Sequence, residues 1–436
     1  MTGPMGRADA ALADWLREGP ESGPIDGLEA ILAGTRSVSQ RPAWTFPSRW
    51  LPAALGGGPG IRPLPVAILL VLAALIAVIV FAIGVGTQHR LPPPFGLARN
   101  GAIAYDTGNG GHAYVTDANG LDPRQLPGDG IERQPTFSPD GTRLVYYSRP
   151  PTSAPQTSDP RGRAFHIFVA NADGSNAHPI LDGMTFRLDV FTPPSWSPDS
   201  RSIAFRSDAD SIDQIWVVDV DGPAPRSPIT RGTATRSVPA WSPDGKWIAY
   251  VESRLSVPAV NALVVARPDG SGRVVLHQQQ SVSPEEASFG ESLRWSPDSR
   301  SIAYARGRDP ANPDESDGPH YLAVATLEGD EAVVYTDVSG WLHFPTWSLD
   351  GRLLYFTVGE MSNVIRVHDL VTGVDSILGT CEAAIPGPLQ LAPNGEQLVE
   401  ACPGAPKLGA TSSGKSDDGL ALPANAGRID IQRLAP

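Results

Sequence analysis

From residue 97 to the C-terminus, short apolar runs alternate with polar positions, and most of them end on a turn signal. IAF (203–205), IAY (302–304) and LVYY (144–147) follow polar turns, while HIFVANADG (166–174), QIWVVDVDG (214–222) and ALVVARPDG (262–270) close on Asp-Gly. A period of two marks half-buried strands, and Asp-Gly or Asn-Gly turns mark hairpins. One stretch breaks the pattern. Val66–Val85, VAILLVLAALIAVIVFAIGV, is apolar throughout, and at about 1.5 Å per residue it spans roughly 30 Å, the hydrocarbon thickness of a bilayer. Fourteen of its residues are Leu, Ile, Val or Phe, which favours insertion by about 4–8 kcal/mol. The pattern predicts one transmembrane helix followed by many short strands.

The strands repeat. WSPDSRSIAF from Trp196 and WSPDSRSIAY from Trp295 agree at nine of ten positions. FSPDGTRLVYYS (from Phe137), WSPDGKWIAYVE (Trp241), WSLDGRLLYFTV (Trp347), LAPNGEQLVEAC (Leu391) and LARNGAIAYDTG (Leu97) are further copies. Seven copies at intervals of 40 to 59 residues indicate a propeller, solenoid or array. Each copy continues through a strand-like run, a loop, an alternating run and a short last run such as HPIL or SPIT; RIDIQRL (428–434) is read as the alternating run of the last copy. Four antiparallel strands per repeat make a propeller blade. In Ser-Pro-Asp-Gly, Pro presets φ, Ser and Asp bond nearby backbone N–H groups, and Gly tolerates the closing position. The aromatic residue before the turn (Phe137, Trp196, Trp241, Trp295 or Trp347) is a plate suited to packing between blades, and Asp140, Asp199, Asp244, Asp298 and Asp350 belong to the turns themselves.

These residues resemble the TolB-like propeller repeat, whose signature is WSPDG, an I-A-[FY] strand and a D-x-D-G hairpin. Ser200 and Ser299 in place of Gly, and Leu349 in place of Pro, depart from it. The resemblance implies an all-β propeller of seven four-stranded antiparallel blades over residues 97–436, or six blades if the first and last partial copies merge. Similar repeats occur in the propellers of prolyl-oligopeptidase-like enzymes, so the resemblance implies a scaffold and no particular activity.

Before the propeller, the sequence divides into a short cytoplasmic helical segment (1–62), the transmembrane helix (63–88) and a Pro-rich linker (89–96). Arg36, Arg41, Arg49 and Arg62 precede the span and Arg90 and Arg99 follow it, which places the N-terminus in the cytoplasm and the propeller outside. Leu12, Trp15 and Leu16 share one side of a first short helix, and Asp26 with Glu29 forms the capping box of a second. This layout resembles membrane-bound anti-sigma regulators, although no Cys or His precedes His89 and the zinc motif of many such proteins is missing. Residues 1–50 are therefore a candidate contact for a cytoplasmic regulator, with a plain tether as the alternative. Residues 1–94 carry seven Lys/Arg and six Asp/Glu, the remainder 27 and 41, a balance that disfavours nucleic acid and anionic lipid as partners. Cys381 and Cys402 both follow the span and allow either a disulfide or two unpaired thiols.

The tight turns share one face, so the long connections (149–163, 182–195, 277–293, 307–320, 336–346 and 403–427) gather on the other and form the expected binding surface. His277, Glu285, Glu286, Phe289, Trp341 and His343 are its candidate residues. The residue before each aromatic position runs Gly96, Thr136, Ser195, Ala240, Arg294, Thr346, Gln390. Mostly small groups suit a crowded inner strand. Arg294 breaks the row, and either reaches into the central channel toward an anionic ligand or pairs with a carboxylate such as Glu291. Asp117, Asp173, Asp219, Asp221 and the stretch 309–318 raise calcium as a ligand, but EF-hand spacing is absent and hairpin chemistry accounts for the first four. No cofactor is expected, with calcium as the alternative. G-x-S-x-G and H-E-x-x-H are missing, so no catalytic residue is assigned. The sequence thus predicts a membrane-anchored extracytoplasmic scaffold binding a protein, peptide or glycan of the cell envelope. A transmembrane sensor acting on a cytoplasmic partner is the second reading, and a propeller enzyme with a loop-built site the third.

Overall fold

The computed structural model describes residues 97–434 except 109–110, 129, 150–165, 182–192, 209–211, 223–226, 255–258, 282–288, 308–319, 338–341, 360–362, 382–388, 401–406, 411–415, 418–421 and 424. The chain divides after Thr87 into two units, and every described residue belongs to the second. The N-terminal segment, the apolar stretch 66–85 and the linker 89–96 lie outside the described residues. Among the described residues every regular element is a strand, and no helix is long and apolar enough to cross a membrane.

Among the described residues the strands form antiparallel sheets that follow one another along the chain: six have four strands, and the third sheet has three. The inner strands of the second to seventh sheets are Ile131–Phe137, Ser195–Trp196, Thr235–Trp241, Phe289–Trp295, Leu342–Trp347 and Leu389–Leu391. At the outer edge of the third sheet, Ile229 N donates to Ile215 O at 2.8 Å, so the SPIT run lies where a fourth strand belongs. The first sheet is assembled from both ends of the unit. Ile429–Leu434 lies inside Arg99–Asp106, which pairs onward with Ala113–Thr116 and Arg124–Gln125. This corrects the reading of RIDIQRL as the alternating run of the last copy. That copy builds its own sheet, with Lys407–Ala410 and Ser416–Asp417 as third and fourth strands inside the stretch read as a long loop. Alternation reveals a strand but not the sheet it joins, and here the partner lies more than 300 residues away.

The turns follow the chemistry of their residues. Gly141, Gly245 and Gly351 donate to the carbonyls of Ser138, Ser242 and Ser348 at 2.8, 2.9 and 3.0 Å, and each Ser hydroxyl donates to the Asp two residues on, as in Ser138–Asp140 (2.6 Å) and Ser242–Asp244 (2.7 Å). The same hydroxyls accept the backbone N–H that opens the second strand, as from Trp247 N at 3.0 Å.

The core lies between sheets. Val145, Ile167 and Val169 of the second pack with Trp196, Ile203, Phe205 and Trp216 of the third, and Leu263 and Val265 of the fourth with Trp295, Ile302 and Tyr304 of the fifth. Second strands such as Ile302–Ala305 are buried on both faces because each sheet has a neighbour on either side. Ala392 and Val399 of the seventh sheet pack with Ile103, Ile429 and Ile431 of the first, and this contact closes the ring. The indole N–H of Trp196, Trp295 and Trp347 donates to the carbonyl of Thr136, Ala240 and Arg294 in the preceding sheet, at 3.1, 2.9 and 2.9 Å. The aromatic plates therefore wedge the sheets and also bond them.

Candidate functional site: the central cavity

Closing the ring brings the inner strands together around one cavity. In each sheet, one inner-strand residue stands opposite a residue of the second strand at equivalent register: Asp430 opposite Ala104, Thr136 opposite Val145, Ser195 opposite Ala204, Ala240 opposite Ala249, Arg294 opposite Ala303, Thr346 opposite Tyr355 and Gln390 opposite Val399. All seven line a cavity of about 360 Å³, together with Arg428, Phe344 and Val238. The row of mostly small residues read from the sequence is thus the wall of the central channel. Its seventh place belongs to Asp430, whereas Gly96 lies outside the described residues.

The polar groups differ in how far the fold has used them. Ser195 Oγ accepts Trp241 N at 2.9 Å. One oxygen of Asp430 accepts Phe137 N at 2.6 Å and the other accepts the Gln390 amide. Burial pushes the Asp430 carboxyl up, against the pull of those hydrogen bonds and of Arg428. Arg294 lines the channel. Its guanidinium forms no hydrogen bond or ion pair among the described residues, and burial lowers its pKa against the attraction of Asp430. Arg428 is alike: only its backbone bonds, its carbonyl accepting Asp106 N (3.1 Å) and its N–H donating weakly to the Asp106 carboxylate (3.4 Å), and burial with repulsion from Arg294 lowers the guanidinium to about 10.

The channel wall also carries unusual backbone. Gln134, Val238 and Phe344 have φ of 55°, 55° and 48°, each immediately before Pro135, Pro239 or Pro345, and the ladder shifts register there. Proline has no N–H to give the ladder, so these inner strands bulge and turn an extra residue toward the centre. A left-handed β-branched Val238 costs on the order of 1–3 kcal/mol.

The family described as the dipeptidyl peptidase IV (DPP IV) N-terminal region matches residues 209–314, from the third sheet through the fifth. Among solved structures, a prolyl endopeptidase is 13% identical over 77% of this chain and 50% of its own, with a TM-score of 0.50. This is a β-propeller. TolB from Acinetobacter baumannii is 16% identical, over 77% of this chain and 81% of its own (TM-score 0.45). An oligogalacturonate lyase in complex with manganese is 13% identical, over 74% and 86% (TM-score 0.49). No curated protein matches the chain significantly. At these identities the likeness is one of fold.

Within the propeller the other candidate residues part company. His277 stands in the outer strand Val274–Ser281 of the fourth sheet and pairs across the cleft with Glu331 of the fifth, away from the channel. Burial alone would push the Glu331 carboxyl up, but His277 and Arg306 hold it at about 2. His343 sits on the inner strand of the sixth sheet beside Phe344, and burial, helped by the charge of His320, lowers it to about 4. Phe289 begins the inner strand of the fifth sheet, opposite Arg306. Glu285, Glu286 and Trp341 lie outside the described residues, as does Cys402, whereas Cys381 ends Val374–Cys381. Asp117, Asp173 and Asp219 each accept a backbone N–H of their own hairpin turn, and Asp221 pairs with Arg143 at 2.8 Å. The stretch 309–318 lies outside the described residues. A second recess, of about 640 Å³ at the rim between the third and fourth sheets, gathers Arg236, Arg254 and Arg273, but all three are bonded to Glu252, at 3.1–3.2 Å.

Sequence reasoning missed Arg428 and Asp430. The signal was present: aligned as an inner strand, IDI (429–431) matches LRW and PAW, and its central residue extends the row. Prolines two residues before Phe137, Trp196, Trp241 and Trp347 likewise mark the inner strands.

Proposed function

We propose that this chain is a membrane-anchored, extracytoplasmic binding propeller that takes a protein, peptide or glycan of the cell envelope at the mouth of its central channel. The observation that carries this reading is the convergence of one residue from every sheet on a single cavity, with charged and amide groups among small hydroxyls. A rigid frame with few polar groups facing a concavity is what binding sites are made of. The 66–85 span and the Arg bias around it support the anchor and the orientation. We read the three-stranded third sheet as a seventh blade beside the six four-stranded ones. In this setting Cys381 and Cys402 allow either a disulfide or two unpaired thiols, and the chain acts without a catalytic residue.

The test is photo-cross-linking in living cells with the full-length chain, the probe placed at Thr136 or Gln390 in the channel and, for comparison, at Val374 on an outer strand. Adducts with an envelope protein, peptide or glycan from the channel positions, and not from Val374, support the reading. Adducts from Val374 alone overturn it. The second reading, a sensor, rests on the amphipathic side formed by Leu12, Trp15 and Leu16. A probe within residues 1–50 that captures a transcription regulator decides for it.

A further inference from the structure

We infer that the central cavity is an oxyanion site, in which Arg294 and Arg428 hold a carboxylate or phosphate group of the ligand. The inference rests on the reading of this cavity as the binding site, and it names the chemistry bound there.

The charge around the cavity carries the argument. Arg294 and Arg428 line it with guanidinium groups that bond to no described residue. Of the carboxylates nearby, Asp430 has both oxygens occupied, by Phe137 N and by the Gln390 amide. Asp106 is spent on backbone N–H groups of Gly108 (3.1 Å), Gln134 (2.9 Å) and Arg428 (3.4 Å), and faces Arg133 at 4.0 Å. Asp106 and Arg133 offset each other, so two guanidiniums stand against one carboxylate that cannot turn to meet them. A half-buried guanidinium left without a hydrogen-bonded counter-charge is destabilising, and two that repel each other more so. The rest of the fold shows that this chain pairs such groups where pairing serves structure: Arg236 is bonded to Glu252, Gln214 and three backbone carbonyls. Guanidiniums left open toward a cavity are placed for an anion that arrives from outside, and their planar forks match the oxygens of a carboxylate or phosphate.

The size and surroundings narrow the ligand. About 360 Å³ admits a small molecule or one chain end. The propeller as a whole is strongly acidic, with 41 Asp/Glu against 27 Lys/Arg from residue 95 onward, so a polyanion is repelled before it reaches the mouth. A group of one or two negative charges passes that barrier at small cost. The hydroxyl of Thr346 on the same wall is available to orient the rest of the molecule, and that of Thr136, which donates to Gln134 O at 3.4 Å, can still accept a bond from it.

The full-length chain in detergent micelles, titrated calorimetrically with inorganic phosphate and separately with succinate at constant ionic strength, tests this. Saturable binding of one anion per chain is expected. Arg294→Met and Arg428→Met should each weaken it at least tenfold and the double variant should abolish it, while Arg294→Lys retains part of it. Because each Met substitution removes an unpaired, half-buried charge, both variants should melt no lower than the parent without anion, which separates lost binding from lost folding. Binding of phosphate alone or of succinate alone supports the inference and identifies the group. Equal binding by parent and Arg294→Met, or no saturable binding of either anion by folded protein, overturns it. If that happens while cross-links from the channel persist, the binding propeller stands and only its anion chemistry falls.

Discussion

The closing position of each Ser-Pro-Asp turn demands left-handed backbone, and the chain meets the demand in two ways. Gly141, Gly245 and Gly351 adopt φ of 70°, 74° and 73°, the conformation glycine enters freely, yet Ser200 and Ser299 adopt 59° and 63°. The structure supplies the compensation. Ser200 Oγ accepts Asp140 N at 3.1 Å and Ser299 Oγ accepts Asp244 N at 2.9 Å, so each serine ties its turn to that of the preceding sheet. Ser299→Ala keeps the strain and loses the bond, and should lower stability by about 1–2 kcal/mol. Ser299→Gly loses the bond but relieves a strain of about 1 kcal/mol, and should be close to neutral. Urea unfolding of the parent and both variants decides; a Ser299→Ala midpoint equal to the parent's would mean that the hydroxyl contributes nothing. At this scale the sequence was legible almost completely, because a turn's requirements are met within four residues. The departures from Gly were visible, but their partner, one sheet away, was not.

Strands were legible where alternation was clean and obscured where tertiary structure bent them. The proline-driven bulges at Gln134, Val238 and Phe344 insert a residue, so a period of two fails just where the chain enters the channel. The outer strands carry exposed as well as buried apolar residues, such as Val333, Val374 and Ile377, and so gave only short runs. Pairing between strands of neighbouring sheets makes stability depend on acid. Glu331 on Glu331–Asp337 is held at about 2 by His277 and Arg306, below its usual 4.5, so the unfolded chain takes up a proton first as pH falls. The stability this pair contributes is complete above about pH 4.5 and lost toward pH 2, and partial solvent screening limits it to about 2 kcal/mol. His343, lowered to about 4, acts over an adjoining window: its unfolded form protonates first, so stability also declines from about pH 6.5 to 4. Glu331→Gln should flatten the lower limb of a stability–pH curve, and His343→Phe the upper. Stability that stays level from pH 7 to 4 in the parent would exclude the role given to His343.

Around the whole ring, one strand decides closure and completes the site. Ile429–Leu434 pairs with Arg99–Asp106, packs Ile429 and Ile431 against the seventh sheet, and gives the Gln432 amide to Gly141 O of the second sheet at 2.6 Å. The same strand supplies Asp430 to the cavity, and Arg428 directly precedes it. Arg294 was legible because it interrupts a local pattern of small residues. Arg428 and Asp430 were not, because their place depends on a contact between the two ends of the unit that periodicity cannot report. Closure and site are therefore coupled. Removing residues 428–436 leaves an inner edge of the first sheet unpaired and strips two buried isoleucines, each worth about 2–5 kcal/mol, from the junction with the seventh sheet. The truncated chain should lose cooperative unfolding and expose apolar surface to a dye such as ANS. A synthetic peptide of residues 427–436, added in trans, should re-form the inner strand and restore both cooperativity and, by the inference above, the anion site. The peptide variant Gly427–Pro436 with Ile431→Asp should restore neither, since it carries a charge into the junction. Gly141→Ala probes the same contact within the intact chain: a Cβ there would lie 2.0 Å from Arg433 O, whereas at Gly351 the nearest atom is Pro297 Cδ at 3.6 Å. The first substitution should weaken closure by several kcal/mol and the second by about 1 kcal/mol, the cost of left-handed backbone alone. Equal effects would show that the ring is held by its sheet-to-sheet core and does not depend on the strand that closes it.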